Sequence, residues 1–235
     1  MVDRSAGRCS KKWAAEFCFR PSGENSTFFI IYYLLSIIYK FDIFPSPRYN
    51  TFDADTKGDS QMPEGYTHVR TAKKAAEAIH YKLQCPAAFA AGANGPDSFF
   101  CFEVWKKRAK RRYDLPGLGN RMHEEKTGAF LRSLCANVKT RPQVEYALGF
   151  LSHYAADTVV HPFVCAMCEP GQPYAGKGGH GYLEIALDST LHAEDTGAAL
   201  VPVEDVSPLP TGEELADITA LLHVCLLETY GEDIP

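Results

Sequence analysis

The sequence predicts an all-α protein: a single multi-helix domain with a multinuclear metal site between its helices. Three observations carry that expectation. From Met62 onward the apolar and alanine-rich runs follow a helical pattern, with no alternating strand pattern and no internal repeat. Glycine and proline clusters punctuate those runs. Two trios of metal-ligating side chains recur at a spacing of four, which places their members on one helical face.

Taken in order, Tyr66–Leu83 reads as a helix, with Thr67 near its start and many alanines. Cys85-Pro86 through Asn94-Gly95-Pro96-Asp97 is rich in breakers, so Asp97 is expected at a turn or near a helix start. Leu115–Gly119 reads as another break. Arg121–Asn137 is expected to be helical, carrying His123 in its first turns. Glu145–Cys168 is the expected central helix; Arg141-Pro142 suits its N-terminus and Pro162 is placed to kink its end. Gly171–Gly179 holds four glycines and one proline and reads as a flexible loop. His180–His192 and Thr211–Tyr230 are the last two expected helices.

At 235 residues and 46% hydrophobic, the chain can bury one sizeable core. Its formal net charge of −5 argues against a general nucleic-acid binder, so no specific nucleic-acid partner is expected. Eight cysteines are scattered, with one close pair, Cys165-x-x-Cys168. That pair lacks the second pair of a zinc ribbon and no βαβ pattern surrounds it, so reduced structural thiols in a cytoplasmic protein are expected.

Residues 1–61 differ from the rest. They contain no histidine, and Phe28–Phe52 contains no alanine. The apolar run Phe28–Tyr39 has 12 residues, short of the ~20 that span a bilayer. Lys40 and Asp42 follow where a signal peptide would carry its small-residue cleavage site. The segment reads as an N-terminal extension, either disordered or a mis-assigned start. Its Phe, Ile, Tyr, Lys and Asn are AT-rich in codons, as in bacterial intergenic DNA. Lys57-Gly58-Asp59 can encode a ribosome-binding site three codons before Met62. The domain is expected over 62–235, truncated at its C-terminus if the chain stops short after Tyr230.

The site is expected around Gly149-Phe-Leu-Ser-His153-Tyr-Ala-Ala-Asp157-Thr-Val-Val-His161-Pro-Phe163. His153, Asp157 and His161 share a helical face flanked by small and apolar residues, and buried ligands are costly without a partner. His180, Glu184 and Asp188 repeat the spacing on another helix. A lone histidine on an apolar face is usually a satisfied core residue. Two trios bring carboxylates that need counter-charges, and two facing helices can build a multinuclear metal site.

These residues, in their order, resemble the zinc-dependent phospholipase C group, or phospholipase C/D domain. The resemblance runs through Tyr66-Thr67-His68, Asn94-Gly95-Pro96-Asp97 and Arg121-Met122-His123-Glu124-Glu125. It continues through His153-xxx-Asp157-xxx-His161-Pro162 to His180-xxx-Glu184, and covers roughly residues 62–190. It implies two or three Zn2+ ions. His123, His153 and Asp157 would hold one, with Asp157 bridging; His161, His180 and Glu184 would hold a second. His68 would bind the ion that shares Asp157, and Asp97 would be a ligand or the base that activates water. Asp188 would orient a ligating histidine from outside.

The helix geometry agrees with that division. His153 and His161 are about 12 Å apart along an axis that rises 1.5 Å per residue, so one ion cannot use both. The carboxylate between them has two oxygens for ions ~3.5–4 Å apart. Two departures from the secreted enzymes stand out. Their Asp-to-His spacing in the central motif is longer, and they use an N-terminal tryptophan as a ligand, whereas no tryptophan lies near His68.

The implied activity is phospholipase C-like cleavage of phospholipids by zinc-activated water, releasing a phosphomonoester head group. Hydrolysis of other phosphodiesters, as by a nuclease, and a non-catalytic metal-binding role are the alternatives. Lys106, Lys107, Arg108, Lys110, Arg111 and Arg112, beside Trp105, read as a solvated face or as a peripheral membrane contact. Glu77-Ala-Ile-His80 matches half of a di-iron motif, but a second copy is absent.

Overall fold

Capping residues and prolines decide where these helices begin. The structure is a computed structural model that describes residues 65–176 and 178–235. The described residues belong to one compact unit and contain helices, turns and loops but no strand. The all-α expectation holds for them. The expectations about residues 1–61, including the start at Met62, lie outside the described residues.

Helix α1 spans Gly65–Ala78 and α2 spans Pro86–Ala93. A 3-10 helix, Gly95–Cys101, follows, and a short 3-10 turn, Arg108–Lys110, leads to α3, Leu115–Glu124. Then come α4, Thr127–Asn137, and the central α5, Arg141–Met167. The chain closes with α6, Gly179–Thr196, the short α7, Val203–Val206, and α8, Gly212–Tyr230. Helices α5 and α8 each open on a complete capping box, Thr140 with Gln143 and Thr211 with Glu214.

Four expected boundaries are corrected. Helix α1 stops at Ala78, and His80 turns the backbone with φ 56°. The cause is tertiary: the fully buried Glu145 carboxylate accepts from the backbone amides of Gln84 and Cys85 and from Arg141 Nε, so the chain must leave the helix to reach it. The stretch read as breakers is instead α2, because Pro86 occupies the first turn and alanines propagate from it. Leu115–Gly119 likewise begins α3 rather than breaking the chain, since the Asp114 side chain accepts from Gly117 N. The break falls at Lys126, φ 54°, so His123 lies in the last turn of α3 instead of the first turns of a longer helix. Pro162 sits inside α5, which runs on to Met167.

Helix α5 is the axis of the core; α1, α2, α4, α6 and α8 all pack on it. Phe130, Leu134, Phe150, Leu221 and Cys225 fill the α4–α5–α8 side. On the other side α2 and α5 touch backbone to backbone. A Cβ on Gly92 would collide with the carbonyl of Tyr146, and one on Gly149 with the carbonyl of Phe89. That approach brings the Ala93 carbonyl to the ring of His153, at 3.1 Å from Nδ1. No described helix is long and apolar enough to cross a membrane.

Candidate metal centre

The four-residue stripe of α5 lies at the centre of the site. Asp157 is 5% exposed, and its carboxylate faces four imidazoles, two on each oxygen. Oδ1 is 3.3 Å from His68 Nε2 and 3.7 Å from His161 Nε2. Oδ2 is 3.3 Å from His153 Nε2 and 3.7 Å from His123 Nε2. Helix α1 delivers His68, α3 delivers His123, and the 3-10 helix delivers Asp97, whose Oδ1 is 3.1 Å from His123 Nε2.

Each member is held from outside. His153 places Nδ1 on the Ala93 carbonyl, and His123 places Nδ1 on the Gly119 carbonyl at 2.9 Å, leaving Nε2 of both rings to face the carboxylates. Gly95, at φ 53°, lies flat against His153; a Cβ there would strike the ring. This explains the Asn94-Gly95-Pro96-Asp97 run: the turn must pass over an imidazole to bring Asp97 into the cluster. Asn94 secures it by donating to the carbonyls of Ala90 and Val206. Phe100 stacks on His123.

The second group sits further along α5. Glu184 Oε1 is 2.5 Å from His180 Nε2 and 3.7 Å from His161 Nε2, so α6 and α5 meet at these side chains. Three donor sets therefore gather closely enough to hold an ion: His68, Asp97 and His153; His123, His153 and Asp157; and His161, His180 and Glu184. Within each set the donor atoms lie within 4.8 Å of one another. Of the eight residues expected at the site besides Asp157, the structure brings His68, Asp97, His123, His153, His161, His180 and Glu184 into these sets and leaves Asp188 outside them.

Asp188, expected to orient a histidine, does something else. It accepts from Tyr66 N at 3.0 Å and from Thr67 N and Oγ1 at 2.8 and 2.6 Å, capping the start of α1. It thus fixes His68 through the backbone rather than through a ring. Its carboxyl is pushed up by burial, against the pull of those three hydrogen bonds. His192 is a satisfied core histidine away from the donor sets, bonded to the Ala198 carbonyl and to Asp205.

The electrostatics of the side chains show how closely the cluster is coupled. Burial alone would raise the Asp157 carboxyl, but His153, whose Nε2 is 3.3 Å from Oδ2, with His68 and His161, holds it far below the carboxylate range. Burial and the neighbouring His153 push His68 down to about 4, so it stays neutral. His123 is driven the other way: burial opposes its charge, yet its bond to Asp97 raises it to about 9. Among these side chains alone, protons on some imidazoles balance the two buried carboxylates. His153 Nε2 is buried with no hydrogen-bond partner, and its tautomer is set by the Ala93 carbonyl. A lone pair aimed at a carboxylate, with the other nitrogen held by a carbonyl, is the arrangement of a metal-ligating histidine. Imidazole and carboxylate donors fit zinc.

A family model described as zinc dependent phospholipase C matches residues 67–223, a span that includes all the donor sets. No curated protein and no solved structure matches the chain.

Proposed function

The chain belongs to the zinc-dependent phospholipase C family, and from that premise we propose that it hydrolyses phospholipids at the phosphodiester bond on the glycerol side. The observation that carries this reading is the Asp157 carboxylate, which offers one oxygen to each of two histidine pairs. Zinc held by these donors supplies Lewis acidity, acidifying water and neutralising charge on phosphoryl oxygens. In this reading His68, His123, His153 and Asp157 bind at the first group, and His161, His180 and Glu184 at the second.

Asp97 is both a ligand candidate and the base. Its side chain retains 14% exposure, more than the 7% of Asp157, so it borders the open edge of the cluster. Burial would raise its carboxyl, but His153 and His123 hold it below the usual carboxylate range, so it is ionised at neutral pH. It can therefore accept a proton from a water on that edge as the water oxygen bonds to phosphorus and the phosphorus–alkoxide bond breaks. The products are a phosphomonoester and diacylglycerol.

Zinc-loaded protein offered phosphatidylcholine, bis-nitrophenyl phosphate and single-stranded DNA tests this. The expected result is diacylglycerol release from the lipid. Cleavage of DNA with the lipid untouched would move the protein to the nuclease-like alternative. Silence on all three with zinc bound would make it a non-catalytic metal-binding protein.

The lipid must also be met at a surface. Glu103, whose enclosed carboxyl is held at about 2 by hydrogen bonds from Lys106 and the Arg112 backbone, pins the turn after the 3-10 helix. Val104 and Trp105 at that turn are 52% and 77% exposed. The six cations do not act as one patch: Lys106 and Arg112 pair with Glu103, and Arg108 pairs with Asp114. Lys107 and Lys110 are exposed in the stretch that follows Trp105, a combination suited to an anionic lipid surface. Replacing Lys107 with alanine should weaken binding to anionic vesicles by about 1 kcal/mol, roughly fivefold, with turnover of bis-nitrophenyl phosphate unchanged. Equal binding of both proteins in a sedimentation assay would remove this surface from the reading.

A further inference from the structure

His123 sits in the last turn of α3, a helix of only ten residues. Helices of that length are marginal on their own, and their ends fray. Gly119 and Phe100 fix the ring, but the backbone beneath it needs a support of its own. The end of α8 supplies one. Tyr230 Oη donates to the Glu125 carbonyl at 2.9 Å, two residues after His123. Lys126 Nζ donates to the Thr229 carbonyl at 3.0 Å. Two residues before His123, Arg121 Nη1 donates to Glu232 Oε1 at 2.6 Å, and its guanidinium carbon lies 5.4 Å from the centre of the Tyr230 ring. Gly231 makes the last contact possible: at φ 71° it reverses the chain, and Glu232 falls back towards α3.

We propose that Tyr230 is a positioning residue for His123, tying the last turn of α3 to the core so that the imidazole stays on Asp97 and Asp157. This rests on reading His123 as a metal ligand. Held at Arg121 on one side and at Glu125 and Lys126 on the other, the turn has little freedom to slide. Its anchor is firm: Tyr230 is itself buried and packs on Phe130, and Ile218, Leu221, Cys225 and Leu226 bury the rest of α8. Of these contacts the tyrosine hydroxyl matters most, because without it the Glu125 carbonyl loses a donor at a partly buried position. The pair of Arg121 with Glu232 lies nearer solvent and holds less tightly. All of Thr229, Tyr230 and Glu232 follow residue 223, where the family match ends, so residues beyond the matched span help to hold the donor sets.

The zinc affinity of the full-length metal-free protein, measured by competition with a chromophoric chelator, tests this. Tyr230→Phe keeps the ring and removes only the hydroxyl. It should weaken zinc binding about tenfold, the lower end of what losing a partner that orients a ligating histidine costs. Thr211→Ala is the control: it removes the cap at the other end of α8, so it should lower Tm and leave zinc affinity unchanged. In a His123→Ala background Tyr230→Phe should cost nothing further, because the group it positions is gone. Amide hydrogen exchange gives a second measurement, and residues 121–126 should exchange faster in Tyr230→Phe than in wild type. Wild-type zinc affinity or wild-type exchange in Tyr230→Phe would overturn the proposal. An equal loss of affinity in Thr211→Ala would overturn it in favour of a general loss of stability. The same tenfold loss with His123 already absent would mean that Tyr230 acts elsewhere. Wild-type affinity in His123→Ala would overturn the reading of His123 as a ligand, whatever Tyr230 does.

Discussion

Asp157→Asn is expected to remove metal and activity together. Asparagine has the same size and shape, so packing around the buried side chain is kept. The electrostatics are not. One oxygen becomes an amide that can only donate, facing either the His68–His161 pair or the His123–His153 pair. Whichever way the amide turns, one pair faces an NH2 that only donates and the other a neutral carbonyl oxygen, so both lose an anionic donor. Loss of a single preorganised electrostatic group commonly costs about 10²–10³ in turnover, and a carboxylate that faces two histidine pairs should cost at least about 10³. The check is metal content by elemental analysis beside turnover of phosphatidylcholine. Wild-type zinc content with full activity would remove Asp157 from the centre of the site. Retained zinc with lost turnover would make it a group acting on the reaction rather than on the ions.

Chelation is expected to destabilise the whole fold, because the proposed ligands come from α1, the 3-10 helix, α3, α5 and α6. An ion present at a thousand times its dissociation constant stabilises the native state by about 4 kcal/mol. For a domain of this size that is a fall in Tm of roughly 8–16 °C per ion removed. Differential scanning fluorimetry with and without a chelator measures it; an unchanged Tm would mean the ions do not tie these elements together. Acid acts in the same direction. His123 must shed its proton to bind, and without an ion its pKa is about 9, above the ordinary histidine value. Proton competition is therefore strongest at low pH and ends only as pH rises through about 9. Apparent zinc affinity should rise with pH up to that point, by as much as tenfold per unit.

Much of this arrangement can be read from the chain, and the parts that cannot have physical reasons. The α5 stripe and the α6 trio are visible because their spacing is local and equals one helical turn. Asp97, His123 and His68 are not visible that way, since packing brings them from three other elements; only the ordered motifs of the family point to them. The misplaced boundaries share a cause. Proline and glycine mark both ends of helices, so Pro86 and Pro116 read as breakers although both lie in first turns. The end of α1 is set by Glu145, some sixty residues away in sequence, which no local pattern encodes. Asp188 departs from the orienting role that the resemblance implies. It shares a face with His180, but eight residues of helix carry it about 12 Å along the axis, out of reach of the second group and onto the start of α1.

That reach also makes one helix answerable to both groups. Helix α6 presents His180 and Glu184 at one level and clamps α1, the source of His68, at another. An ion that orders α6 therefore spares the first group part of the conformational entropy of fixing His68, and by reciprocity an ion at the first group does the same for the second. Zinc titrated into the metal-free chain should consequently fill the two groups in a single steep step rather than as independent sites. In cells whose free zinc fluctuates, such a protein would pass between empty and fully loaded with little time spent half-assembled.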